Sequence, residues 1–174
     1  MRHSLLSMAT CSLAFVAGAT VAAASPMTAT AKLTGKAGSN VTGSITFTED
    51  AGKVKVEAHV MGLAAGMHGF HIHEKGDCGD AEFKNAGGHF NPTSEAHGAP
   101  ADAHHHAGDL GNIEIDAKGH GSLEISSAML SVAPGPNSVV GKAVIVHEKA
   151  DDLKTQPTGD AGGRMACGVV AAGK

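Results

Sequence analysis

The stretch MHGFHIHEKGDC, residues 67–78, places His68, His71 and His73 within six positions and Cys78 five residues after the last of them. The chain holds five phenylalanines and neither tryptophan nor tyrosine, so this concentration of imidazole is not part of a general aromatic richness. A β-strand alternates its side chains, which puts His71 and His73 on one face with Cα atoms roughly 6–7 Å apart. Two neutral imidazoles aimed at one point are half a metal site. Fold and function both turn on what supplies the other half.

Working outward, the same alternation recurs along the chain. GSITFT sets Ile45 and Phe47 against Ser44, Thr46 and Thr48. The turn signal Asp50-Ala51-Gly52-Lys53 follows, and VKVEAHV then sets Val54, Val56, Ala58 and Val60 against Lys55, Glu57 and His59. Shorter strands are predicted at MHGFHIH, NIEID, SLEIS, KAVIVHE and CGVVA; one near ATAKLTG brings the total to eight. No segment sustains a helical period. The pattern predicts an all-β fold, an eight-stranded antiparallel sandwich or flattened barrel. Residues 74–110 and 148–166 lack strand patterning and far exceed hairpin length, and long ordered loops in a small domain are usually functional. The histidines lie in or beside these two loops.

Residues 1–24 read as a secretory signal peptide: Arg2, then an apolar run, then Ala22-Ala23-Ala24 before Ser25. The run is too short and alanine-rich for a membrane span. Residues 25–174 then form one domain, large enough for a real core. Removing the leader takes Cys11 with it and leaves Cys78 and Cys167, which in an exported chain are expected to form one disulfide. The net charge of −4, with no basic face, argues against nucleic acid as a partner.

The first long stretch also carries His89, His97, His104, His105, His106 and Asp109, and His147 directly precedes the second. Three histidines with a carboxylate suit zinc. Four histidines in a flattened arrangement suit copper(II). The inventory exceeds one site and fits two metals, with or without a ligand shared between them.

The segments HGFHIHEKGD, GGHFNP, AHG, HHHAGDLGN, VHEKADDL and AGGRMACGVV together resemble the copper,zinc superoxide dismutases, in that family's order and over nearly the whole chain from residue 25. The resemblance implies a Greek-key β-sandwich or flattened barrel with one copper and one zinc ion per subunit. It implies copper ligation by His71, His73, His89 and His147, and zinc ligation by His89, His97, His106 and Asp109. His89 would be the bridge, releasing copper and taking up a proton in the reduced half of a cycle that turns superoxide into dioxygen and hydrogen peroxide. Asp151 matches the family's aspartate linking a copper-ligand histidine to a zinc-ligand one. Arg164 matches the arginine that attracts the substrate anion, held in place by the Cys78–Cys167 disulfide.

Cys78 directly after Gly76-Asp77, together with the inserted GDAEFKNAG before His89, resembles the exported bacterial branch, which implies a periplasmic location. The second loop is shorter than in eukaryotic members, leaving Lys75 and Lys84 as weak substitutes for their steering lysines. Dimer geometry differs between branches, so the resemblance leaves open whether the partner is a second copy in a homodimer. His59 and His120 are expected to face solvent, and His68 to bond backbone. A metal store on the same fold is the competing reading, but storing cations needs no arginine aimed at an anion.

Overall fold

The computed structural model describes residues 25–173; the expected signal peptide and Cys11 lie outside that range. Eight strands follow one another: β1 (Met27–Gly35), β2 (Thr42–Asp50), β3 (Lys53–Met61), β4 (Gly66–His73), β5 (Asp109–Ile115), β6 (His120–Ser127), β7 (Ala143–His147) and β8 (Arg164–Ala172). One short 3-10 turn, Lys84–Ala86, interrupts the first long loop.

The strands close into an antiparallel barrel in the order β1-β2-β3-β6-β5-β4-β7-β8. The β3–β4 and β6–β7 connections each pass over two intervening strands, which is the Greek-key arrangement. Closure removes the free edges a sandwich would leave, because β1 pairs with β8 from Ala29↔Ala172 to Gly35↔Ala166. The barrel is thus the outcome among the expected architectures.

Alternation fills the interior as the sequence predicts. Ile45 and Phe47 of β2 and Val54, Val56, Ala58 and Val60 of β3 point inward and are fully buried, while His59 points out. β4 and β7 differ, since both of their faces are buried. Phe70, Ile72, Val144 and Val146 join the barrel core, whereas Ala143 and Ile145 form a second cluster with Phe83, Ala86 and Cys167. The long loops therefore cover the outside of β4 and β7. His71, His73 and His147 alternate onto that covered outer face.

Two details differ from the sequence reading. β8 begins at Arg164 rather than at Cys167, because Arg164 pairs with His147 across a register shift after Val146. β5 begins at Asp109, so the loops span 74–108 and 148–163. A second shift lies between Gly69 and His71. Such irregularities re-aim side chains and recur beside functional sites; both of these sit at histidines.

Cys78 and Cys167 are joined, with Cα atoms 5.8 Å apart and a sequence separation of 89. On the chain-entropy view a closed loop of that size contributes about 4–5 kcal/mol. Phe47 is fully buried in the barrel, and Phe47→Ala is expected to cost about 3–5 kcal/mol. Urea unfolding of the oxidised protein checks this, and a loss below 1 kcal/mol would show that the site collapses around the vacancy.

Candidate metal centre

β4 contributes His71 and His73, and β7 contributes its last residue, His147. The first loop brings His89, which bridges to His73 through the backbone, along with His97 and His106; Asp109 opens β5. All seven side chains are buried. They form two groups, His71-His73-His89-His147 and His89-His97-His106-Asp109, each with its potential ligand atoms within 4.8 Å of one another. His89 belongs to both. Its ring centroid lies 4.0 Å from that of His71 and 5.0 Å from that of His73 on one side. On the other side it lies 5.4 Å from His97 and 5.5 Å from His106.

In the second group Asp109 Oδ1 is the point of convergence. The Nδ1 atoms of His89, His97 and His106 lie 2.7, 3.1 and 3.1 Å from it. Asp109 Oδ2 is occupied by the backbone N–H groups of His106 at 2.9 Å and Gly98 at 3.2 Å, which fix the carboxylate. Three nitrogens and one oxygen make a zinc-type set. In the first group each ring has one nitrogen tied elsewhere: His71 Nε2 to Asp151, His73 Nδ1 to the Gly87 carbonyl, and His89 Nδ1 to Asp109. His147 Nδ1 faces the Gly162 carbonyl at 3.4 Å. The second nitrogen of each ring is thereby directed to the shared space, a four-imidazole set suited to copper.

His71 Nδ1, His89 Nε2 and His97 Nδ1 are buried with no hydrogen-bond partner. Orphaned buried polar atoms are costly. Here they sit where a cation would use their lone pairs, so the residues fit two metal ions.

The electrostatics suit the same chemistry. Burial lowers His73 well below its ordinary value, His89 to about 4 and His147 to about 3. These rings are neutral at pH 7, with lone pairs free to bind. Burial also opposes charge on His97, but Asp109 and Asp151 outweigh it and raise that ring to about 9, so a cation binding there would displace a proton from it. Burial likewise opposes charge on the two carboxylates, yet the bond to His89 and the adjacent His97 ring hold Asp109 far below the usual range, and bonding to His71 and His97 does the same for Asp151.

Asp151 joins the two groups, accepting from His71 Nε2 at 2.7 Å and His97 Nε2 at 3.0 Å. Several residues that the sequence reading passed over support it. Asn112 accepts the Asp151 N–H at 2.7 Å and donates to its carbonyl at 2.9 Å. Gln156 forms the same two-way clasp with the backbone of His97, both bonds at 2.8 Å. Neither carries a motif by which a sequence could reveal it. His68 does bond backbone, facing the carbonyls of Ala64 at 3.0 Å and His147 at 2.8 Å, which ties β4 to the end of β7. His104 is exposed beside Glu95, and His105 turns its Nδ1 to the His106 carbonyl; neither enters a metal group among the described residues. His120 is exposed as expected, and so are Lys75 and Lys84.

Arg164 opens β8 opposite His147. Its Nη1 donates to the Phe83 carbonyl at 2.5 Å and its Nη2 to the Gly87 carbonyl at 2.6 Å. Gly87 thus receives Arg164 and His73 on one oxygen.

A closed Greek-key barrel bearing two adjoining groups of buried side chains that share a histidine is an arrangement that could hold two metal ions. Residues 41–170 match the family model for copper/zinc superoxide dismutase (SODC). The chain is 45% identical over 142 residues to the extracellular superoxide dismutase [Cu-Zn] of Caenorhabditis elegans, covering 78% of this chain and 63% of that one. It is 40% identical over 141 residues to the extracellular superoxide dismutase [Cu-Zn] of Brugia pahangi, covering 76% and 70% respectively. The solved structure titled as the clock protein EA4 superposes with a TM-score of 0.77 at 39% identity, covering 87% of this chain and 98% of that one. The chain belongs to the copper/zinc superoxide dismutase family.

Gly159 has a left-handed backbone (φ 72°), and a Cβ there would strike the Asp151 carboxylate and the His97 ring. Gly159→Ala is therefore expected to displace Asp151 and lower affinity for both metals by about 10–100-fold, the usual effect of losing a ligand-orienting partner. Competition with a chromophoric chelator reads this, and unchanged affinity for both would remove Asp151 from the role of linker.

In the metal-free protein, His89 and His147 stay neutral when folded but would protonate near 6.5 when unfolded. The unfolded chain binds more protons below that value, so stability is lost as pH falls from 6.5 towards 4. His97, raised to about 9, acts oppositely and contributes stability that fades as pH rises through 9. The lowered rings outnumber it. Thermal unfolding with chelator present is expected to show Tm falling from pH 7 to pH 4; a flat or rising Tm would contradict the buried neutral rings.

Proposed function

We propose that the chain dismutes superoxide to dioxygen and hydrogen peroxide, with copper held by His71, His73, His89 and His147 and zinc by His89, His97, His106 and Asp109, one ion of each per subunit. The observation that carries this reading is the pair of buried ligand sets sharing His89, one all imidazole and one closed by a carboxylate. When bound, copper supplies one-electron exchange, taking an electron from one superoxide and giving it to another that accepts two protons, while redox-inert zinc supplies fixed charge beside His89.

The protein's own residues do the rest. Arg164, anchored by two carbonyls, keeps its remaining N–H donors for an anion at the edge of the histidine set. A fixed cation in a cleft raises the on-rate of an oppositely charged substrate; superoxide dismutase is itself a standard illustration of the effect. His89 Nε2, buried and without a partner, is the atom placed to hold and pass a proton. Asp151 keeps His71 and His97 in register while this happens.

The domain that functions is residues 25–174, exported behind a cleaved leader. The disulfide supports export, since such bonds persist in oxidising compartments. The inserted segment before His89 favours the periplasm of the bacterial branch, whereas the two relatives named above are called extracellular.

Superoxide consumption and metal content, measured on one disulfide-bonded sample with a copper-stripped control, test the activity. Copper-dependent turnover is expected. Full occupancy with no turnover would leave a metal store. His147→Ala is expected to abolish turnover and release copper while zinc stays bound, because His147 belongs to only one of the two sets; equal loss of both metals would refute the division of ligands.

A further inference from the structure

The segment between Cys78 and His89 does more than lengthen the first loop. Asp80 Oδ1 accepts the backbone N–H groups of Glu82 and Lys84, each at 3.0 Å, and Asp80 Oδ2 accepts that of Asn85 at 2.6 Å. Its own carbonyl receives the Phe83 N–H at 3.1 Å. Four bonds from one residue thus wind residues 80–85 into a compact turn. Phe83 sits in that turn in a left-handed conformation, φ 56° and ψ 25°, which bulky residues adopt only when the surroundings impose it. Its ring is buried against Ala143, Ile145 and Cys167. The outcome is that the Phe83 carbonyl meets Arg164 Nη1.

The two anchors of Arg164 are held independently. Gly87 is fixed from the β4 side, where Glu74 N–H donates to the Gly88 carbonyl, Lys75 N–H to the Ala86 carbonyl, and Gly88 N–H to Glu74 Oε1. Nothing comparable from β4 reaches Phe83. Asp80 and the buried Phe83 ring hold that end.

The geometry points to Asp80 as the positioning residue of Arg164: it shapes the turn that presents the Phe83 carbonyl, and through it sets the direction of the guanidinium. This rests on the proposed role of Arg164 in anion capture. Asp80 does not touch substrate or metal ligands. Its charge also lies close enough to Arg164 to offset part of the burial penalty on the guanidinium.

Arg2 and Arg164 are the two arginines of the chain. Protein starting at Ser25 therefore shows a single guanidinium, and its N–H resonances report Arg164 alone. In zinc-loaded protein the Nη resonances are expected to be separate and slowly exchanging. Asp80→Ala is expected to merge them by freeing rotation, and Glu82→Ala, which leaves the backbone N–H groups bonded to Asp80 in place, to preserve them. In the copper- and zinc-loaded protein, Arg164→Ala is expected to slow superoxide consumption about tenfold, the low end for lost steering. Asp80→Ala is expected to cause a comparable loss with metal content unchanged, and to add less than twofold on the Arg164→Ala background, since residues acting through one group are not additive.

Unmerged Nη resonances in Asp80→Ala, or losses that multiply in the double variant, would overturn the inference. Loaded wild-type protein that does not consume superoxide would refute the proposed function instead, while the resonances would still decide whether Asp80 orients Arg164.

Discussion

Asp151 is the constraint on which the metal centre depends. One oxygen holds His71 of β4 and the other holds His97 of the first loop, while its backbone is clasped by Asn112 of β5. A carboxylate buried at such a point would be costly alone. It is tolerated because both oxygens are satisfied by ring N–H groups and the carboxyl is held far into its charged range. A shift of this one side chain would release a ring from each ligand set at once. The second loop is short, yet it carries the carboxylate that, together with the shared His89, ties the two ligand sets into one unit.

The barrel and the loops divide the work. Alternation in β4 and β7 sends Phe70, Ile72, Val144 and Val146 into the core and His71, His73 and His147 to the outer face. An outer face bearing three imidazoles would ordinarily be wet, and water would compete for every ring nitrogen. The loops exclude it, and the small cluster of Phe83, Ala86, Ala143, Ile145 and Cys167 pins the first loop over β7. The disulfide fastens the same region to β8, three residues beyond Arg164. Rigid strands thus aim half of the ligands, and a covalently tethered loop brings the rest.

Much of this was legible in the sequence because its physics is local. A period of two named the inward residues of β2 and β3 correctly, since a strand's faces depend only on neighbouring positions. The candidate ligand residues that the structure brings together came from short motifs whose spacing carries the resemblance, HGFHIH and HHHAGD above all. Composition by itself could not choose among His104, His105 and His106; the choice of His106 rested on its spacing to Asp109, and the structure places that residue, not its neighbours, against the carboxylate. What escaped was long-range. The start of β8 at Arg164 depends on pairing with His147 seventeen positions away in sequence, across a register shift that no local pattern announces. Asn112 clasps the backbone of Asp151, Gln156 clasps that of His97, and Gly159 leaves room for both side chains, and such residues look like ordinary loop and strand-edge residues until the chain is folded.

On the proposed reading, the charge distribution lets the site attract an anion with few cations around it. The chain carries a formal net charge of −4, so any attraction for an anion must be local rather than a property of the whole surface. His73, His89 and His147 are neutral, because desolvation disfavours their charged forms. On the proposed reading, two divalent ions would meet only the carboxylate of Asp109 directly and that of Asp151 at one remove, leaving the centre net positive inside a low-dielectric wall. Arg164 adds one more fixed cation opposite His147. A shortened second loop is then no handicap. Field strength falls with distance and with screening by salt, so on the proposed reading a guanidinium held beside the candidate ligand set acts at short range. The value of that arrangement lies in its rigidity, which here comes from the two carbonyls that hold the guanidinium.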